Sequence, residues 1–375
     1  MQPFDALTIR AVLQEAKPIL LNRKVDKVLQ LGRDEVLLTL RSKAGMINLL
    51  LSAQTAYGRL CLVKMTSQPN ERGSGRPGSG GSQSNFSMLL RKHLTGATLV
   101  GVEQPLGERM VDFIFSCVDE VGTTSHKILT AEIMGRHSNL IFWDKTTSKV
   151  VCASHIVTKD MSRQREVAPG LSFARPPGQD KPSIFNTSKD VLAEKIELLK
   201  SGLEAGEPIA PPAAPTLEQW LINSFTGLGR HLAAEIVVGS GVQSSAADSL
   251  QDAELLDKLW SRIEQLQSIA LYKPAMKIDL SGYTVLSWWT EMENPSVWKN
   301  FPAVNDLIEE YYRLVEAREH FNQLKERLRA ELRSESEKLE LRIASASSQL
   351  GNGNTAEELK RNGDLVLANI GTINP

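Results

Sequence analysis

The chain has 375 residues with 43 basic against 44 acidic side chains, and 41% of its residues are hydrophobic. That length predicts two or three domains with real cores, and the near-zero net charge excludes a polyanion partner recruited by bulk charge, so a nucleic-acid surface must be a local patch. Three widely spaced cysteines, Cys61, Cys117 and Cys152, lack any Cys-x-x-Cys pair, which excludes a disulfide framework and predicts reduced core thiols in a cytoplasmic protein. Neither a signal peptide at Met1-Gln-Pro-Phe-Asp5 nor a run of about 18 apolar residues is present, so export and membrane insertion are not expected.

Asp5 is placed to cap a first helix through Leu20, whose apolar residues follow helical spacing. Short β-rich segments follow at 25–31, 35–41, 46–52 and 59–63. The Gly/Ser/Pro-rich stretch 66–85 reads as a disordered insert with nothing to bury. A short helix, Phe86 to Leu94, precedes a second strand-rich half at 98–103, 109–116, 126–133, 140–144 and 149–156. Without βαβ alternation, this half-and-half pattern predicts an antiparallel α+β domain over 1–182, sandwich-like or barrel-like, from which the Pro-rich stretch 169–182 leads away.

Residues 183–300 are expected to form an all-α domain, interrupted by a Pro-rich linker at 206–215. Within it, Leu217–Phe225, the turn Gly227-Leu-Gly229 and Arg230–Val238 have the pattern of a helix-hairpin-helix, whose backbone N–H groups suit a phosphate; the same pattern fits an ordinary αα-hairpin equally well. Trp288, Trp289 and Trp298 are expected in the core. From 301 onward, Leu307, Tyr311, Leu314, Phe321, Leu328, Leu332 and Leu339 keep coiled-coil spacing. Gly351-Asn-Gly-Asn354 predicts a break, and Thr355-Ala-Glu-Glu358 a capping box for a short returning helix, which makes the arm look truncated at 375.

No Walker loop, Gly-x-Ser-x-Gly elbow or His-Glu-x-x-His helix occurs, and the Gly-x-Gly-x-x-Gly match at 73–78 lies inside the insert with a proline where a helix should start. Neither a catalytic residue, a cofactor nor a metal ion is expected. The informative stretch is Glu132-Ile-Met-Gly-Arg-His-Ser-Asn139, which reads as a strand end followed by a polar tip. Arg136 and His137 suit phosphate and ribose oxygens, although a solvated turn accounts for the spacing as well. Arg91, Lys92, Arg163 and Arg165 are further candidate phosphate contacts, each of which also fits a solvated face.

That stretch, with Met1-Gln-Pro-Phe-Asp5, Phe86-Ser-Met-Leu-Leu-Arg-Lys-His-Leu94, Gly107-Glu-Arg-Met110, Met161 to Gly170, Pro176 to Lys181 and Phe225-Thr-Gly-Leu-Gly-Arg230, resembles the ordered motifs of the NFACT family. The family includes ribosome-quality-control factors of the RqcH kind and proteins long labelled fibronectin-binding protein A. The resemblance implies an NFACT-N domain similar in fold to formamidopyrimidine-type DNA glycosylases, then a helix-hairpin-helix domain and a coiled-coil arm. It implies a non-enzymatic factor that binds a large ribosomal subunit obstructed by peptidyl-tRNA. There it would recruit tRNA, in the family alanyl-tRNA, for template-free tailing of the nascent chain. Glu108-Arg109 stands where the family usually shows Asp-Arg, and Glu132-Ile133-Met134 matches the second position implied in tRNA binding. Two alternatives belong to other classes: a surface adhesin binding fibronectin, and a DNA-repair module. The second is opposed by Pro3 standing behind Met1-Gln2 and by too few cysteines for the glycosylase zinc finger.

Overall fold

The computed structural model describes residues 4–64, 84–118, 122–204, 216–242, 245, 252–269, 271–288 and 294–373. Most of the expected insert, the Pro-rich linker and Trp289 lie outside the described residues. The chain divides into a compact unit ending at Leu314 and a second unit from Val315.

Helix α1 (Ala6–Leu20) begins as the sequence predicts: the Asp5 carboxylate accepts from the Thr8 N–H at 2.8 Å and from the Thr8 hydroxyl at 2.7 Å. Nine strands follow: β1 (Arg23–Gly32), β2 (Glu35–Ser42), β3 (Gly45–Ser52), β4 (Arg59–Val63), β5 (Thr98–Glu103), β6 (Met110–Val118), β7 (Thr124–Glu132), β8 (Asn139–Asp144) and β9 (Val150–Ala153). They form one antiparallel sheet in the order β4-β3-β2-β1-β5-β6-β7-β8-β9, so the two meanders join through β1 and β5. Helix α2 (Asn85–Leu94), capped by Ser84, packs on β1, β6 and β9. A sheet that presents a central strand and its last strand to the same helix is curled around it. Of the sandwich-like and barrel-like readings, this curled single sheet is nearer the second.

The stretch after β9 does not lead away. Residues 154–175 fold back as an irregular strap because their side chains have partners on the sheet. Val167 packs with Ile141, Val150 and Ala153, and Phe173 stacks on Trp143 with ring centroids 4.5 Å apart. Leu171 and Phe173 hydrogen-bond along the edge of β9 and its turn. Composition marked 169–182 as leading away from the domain; Phe173, Arg165 and Arg175 make 154–175 part of it.

The middle region contains α3 (Lys189–Glu204), α4 (Leu217–Ser224), α5 (Arg230–Ser240) and α6 (Leu255–Gln267), with α4, α5 and α6 packed in succession and α3 on α6. It is not all-α. Three short strands, β10 (Ala275–Lys277), β11 (Tyr283–Thr284) and β12 (Trp298–Asn300), form a small antiparallel sheet whose Tyr283 is fully buried. Trp288 and Trp298 are buried as expected.

Helix α7 runs Val304–Ala368. Its first turns belong to the compact unit: Val304, Leu307, Ile308, Tyr311 and Tyr312 are core residues rather than a coiled-coil seam. Glu15 accepts from the Val304 N–H at 2.7 Å and the Asn305 N–H at 3.0 Å, and the Asn305 amide oxygen accepts from the N–H of Leu62 on edge strand β4 at 2.8 Å. In the second unit, Phe321, Leu328, Leu332 and Leu339 are each more than half exposed. The break expected at 351–354 does not occur, and the helix continues through both glycines. Gly and Asn weaken a helix by up to about 1 kcal/mol each, whereas a break requires a second costly nucleation and leaves additional terminal groups to satisfy.

Candidate nucleic-acid interface

Strands β6 and β7 pair in an unbroken register in which Met110 faces Glu132, and the Ile133 N–H donates to the Arg109 carbonyl at 2.8 Å. The two motifs implied in tRNA binding therefore lie side by side at one end of the sheet. The β5–β6 turn that carries the first of them is fixed by glycine. Gly107 has φ +77°, and a Cβ there would lie 2.9 Å from the Ser183 hydroxyl and 3.5 Å from Gly227 Cα.

Gly227, at φ +86°, is the glycine of the α4–α5 turn, and a Cβ on it would lie 2.7 Å from the Phe185 ring. The two helices and their glycine turn are present, and the turn is pressed against the β5–β6 tip and zipped to the 182–184 loop through Thr226 N–H to Pro182 and Ile184 N–H to Thr226. Close packing therefore accounts for Gly227. Gly229 caps α5 through its backbone, with Asp5 Cβ near it, and Arg230 is exposed.

Side chains at the β6–β7 end fall into two groups. Glu132 and Ile133 are buried, so the sequence expectation that they face a ligand is corrected: both faces of β7 are covered from Ile128 to Glu132. Arg165 grips both Glu132 oxygens, one at 2.8 Å, and also donates to the Ala174 carbonyl at 2.8 Å. Arg165 is thus occupied with the strap and is not a free phosphate contact. Beside it, Arg175 meets Asp112 at 2.5 Å, and Asp112 accepts from Thr130, whose hydroxyl accepts from the Trp143 indole. Burial outweighs Arg165 at Glu132 and holds its carboxyl above the usual carboxylate range.

The other group is exposed or half-buried. Glu108 is half-buried and Arg109 exposed; no ion pair joins them, and neither side chain has a partner among the described residues. Arg136 and His137 are exposed on a short helical turn, Gly135–His137, where Gly135 has φ +62° as the turn reading requires, and the Arg136 Nε donates to the His137 Nε2 at 3.0 Å. Met134 is half-buried, its N–H bonded to Ser138, and Arg163 is exposed. Elsewhere, Arg91 donates to the Val28 carbonyl at 3.0 Å, and Lys92 is exposed on α2. Lysine neighbours and burial lower the basicity of His93, with burial the larger cause.

Residues 5–375 match the model of the NFACT N-terminal and middle domains. The chain belongs to the NFACT family. It is 27% identical over 370 residues to the "Rqc2 homolog RqcH" of Streptococcus suis, covering 97% of this chain and 57% of that protein. It is 24% identical to the protein of the same name from Bacillus subtilis, covering 98% and 59%. The chain thus spans little more than half the length of these relatives. Among solved structures, the N-terminal region of the fibronectin/fibrinogen-binding protein from Streptococcus suis superposes with a TM-score of 0.62 at 25% identity, covering 83% of this chain and 99% of that one. The fibrinogen-binding protein from Staphylococcus aureus shares the fold, with a TM-score of 0.60 at 21% identity.

In this NFACT chain sequence reasoning missed Arg175, Asp112 and the 179–188 loop. Pro176 to Lys181 carried part of the family resemblance, but its composition read as a stretch leading away from the domain; the signal for a folded strap was the aromatic and arginine at 173 and 175. Cys61, Cys117 and Cys152 are buried, and burial pushes the Cys117 thiol up to about 11 and that of Cys152 to about 12. Among the described residues no helix is long and apolar enough to cross a membrane, and no cluster of three metal-ligating side chains occurs.

Proposed function

We propose that this chain is the RNA-engaging part of a ribosome-quality-control factor, binding obstructed large ribosomal subunits and recruiting tRNA for template-free C-terminal tailing. The observation that carries this reading is the β6–β7 end, where Arg109, Arg136, His137 and Arg163 stand exposed around a buried, bonded base formed by Glu132 and Arg165. Cations held on rigid strand ends suit a phosphate backbone, and Glu108 beside them can accept from a base edge. The relatives named RqcH support the ribosomal context. Positioning, rather than side-chain chemistry, is the role assigned, with bond formation left to the ribosome. Alanyl-tRNA is the expected cargo, and the cytoplasm the expected compartment.

Replacing Arg109 with Ala is expected to weaken tRNA binding by about 1–3 kcal/mol while leaving the melting temperature in place. Unchanged tRNA affinity would remove the reading. The names of the solved neighbours favour fibronectin as a second ligand class, and immobilised fibronectin tested beside tRNA separates the two.

A further inference from the structure

At the ends of β6 and β7 remote from the tip, one row of paired residues crosses five strands. Arg41 of β2 faces Lys24 of β1, Lys24 faces Thr98 of β5, Thr98 faces Ser116 of β6, and Ser116 faces His126 of β7. Lys145 closes the row, its N–H on the His126 carbonyl at 3.0 Å. Residues directly opposite in antiparallel register share a face of the sheet. Arg41, Lys24, His126 and Lys145 are exposed there, with Thr98 and Ser116 half-buried between them. The last turn of α2 brings exposed Lys92 to the same end, where the Gly96 N–H donates to the Val25 carbonyl at 2.8 Å. Charge does not balance here. Asp26 is taken by Arg41 and Asp144 by Lys127, whereas Lys24, Lys92, His126 and Lys145 form no ion pair among the described residues. With 43 basic against 44 acidic side chains in the whole chain, this excess is local. The large apolar side chains exposed on the nine strands, Met46, Val100 and Val118, include no aromatic ring.

We infer that this end of the sheet is a second polyanion surface, which holds the sugar–phosphate backbone of a helical RNA without reading its bases. It goes beyond the tip contact proposed above, and only the choice of RNA as the polyanion rests on that reading. Strand geometry sets the dimensions. Lys24 and His126 lie three strand spacings, about 14 Å, apart, and the row stands about 20 Å along β6 from Met110 at the tip. A row of that width, carrying long lysine side chains, reaches more than one phosphate, and the Thr98 and Ser116 hydroxyls between the cations can donate to the same oxygens. With no exposed ring for unpaired bases to stack on, the surface suits a duplex, recognised by shape and phosphate, over a single strand. Three separate aliphatic side chains do not make the apolar face that a membrane-surface contact needs. Because row and tip are a strand length apart, helical RNA of the large subunit at one leaves the other open to tRNA.

The test titrates the full chain with a short blunt-ended duplex RNA, with tRNA measured in parallel. Wild type is expected to bind the duplex with an affinity that falls steeply as salt rises. Lys24→Glu/Lys145→Glu is expected to lose about tenfold or more at moderate salt and to flatten that salt dependence, while the melting temperature holds because neither side chain has a partner among the described residues. Lys24→Gln/Lys145→Gln, which removes the charge without reversing it, is expected to lose less, and adding Lys92→Gln to lose more. The same reversal on the arm, Lys325→Glu/Lys360→Glu, is expected to leave duplex affinity near wild type. The surface is overturned by a wild type that ignores the duplex, by folded row variants that bind it unchanged, by an equal loss in the arm variant, or by tighter binding to phosphatidylserine vesicles than to the duplex. Arg109→Ala separates row from tip. If tRNA binding depends on Arg109 in a chain that ignores the duplex, the tip reading stands and the row falls; if duplex binding depends on the row and tRNA affinity is indifferent to Arg109, the row stands and the tip reading falls.

Discussion

The β4 edge of the large sheet and the tips of its interior strands β6 and β7 handle polar groups in opposite ways. At the β4 edge, Glu15 receives the first N–H groups of α7, Asn305 receives the Leu62 N–H and donates to the Val12 carbonyl, and the Arg59 guanidinium lies 4.9 Å from the centroid of the Tyr312 ring. An edge strand and a helix start, each a source of unsatisfied backbone groups, satisfy one another there. At the β6–β7 end the buried layer pairs Glu132 with Arg165 and Asp112 with Arg175, but the layer above it is open: the side chains of Glu108, Arg109 and Arg163 have no partner among the described residues. A polar network closed on itself is explained by stability. A rigid base carrying an open layer is what the proposed RNA contact requires.

The comparison breaks first if the buried layer under the tip is dispensable. Arg165→Met leaves the fully buried Glu132 carboxylate unpaired, and a loss of about 3–5 kcal/mol in urea unfolding is expected. Glu132 already has a raised pKa, so the folded state holds its proton more tightly than the unfolded state does. The ionised form therefore costs stability above the folded pKa, and that cost fades as pH falls towards the ordinary carboxylate range. The stability gap between Arg165→Met and wild type is expected to narrow on acidification; a gap that widens would contradict the assignment of Glu132 as the buried charge.

Glu15→Ala probes the other end. It orphans the first N–H groups of α7 and is expected to cost about 1–3 kcal/mol of stability with tRNA affinity unchanged. A variant that unfolds no more easily but binds tRNA poorly would reverse the roles given to the two ends.

The smallest effect belongs to His93, whose pKa is lowered by burial and by Lys127 and Lys92. As pH falls through the ordinary histidine range the unfolded chain takes up a proton that the folded imidazole refuses, so stability declines on that side. His93→Gln is expected to flatten this part of the profile, and an unchanged slope in acid-unfolding curves would remove His93 from it.

Much of the sheet was legible because each strand combines period-2 burial or a continuous apolar run with a turn signal at its end; β4 and β5 agree with the sequence reading to the residue. The adjacency of Glu108-Arg109 and Glu132-Met134 was also legible, since antiparallel neighbours bring strand ends together. The inward face of Glu132 was not. Alternation tells which residues share a face, but a carboxylate is assigned outward by default unless its partner is known, and Arg165 lies 33 positions away in the chain. The strap was missed for the same reason, because proline-rich composition hides a segment held by side chains rather than by backbone periodicity. The uninterrupted α7 was missed because Gly and Asn set only a local cost, whereas continuation is decided by the cost of starting another helix.

The central claim is that the open layer at the β6–β7 end is completed by RNA. Its most direct test is the affinity of Glu108→Ala/Arg109→Ala for tRNA, measured beside its melting temperature. The account predicts that binding falls by at least the single-variant loss of about 1–3 kcal/mol, while the melting temperature holds because neither side chain has a partner among the described residues. Wild-type tRNA affinity in the double variant, or a domain that unfolds, would contradict it.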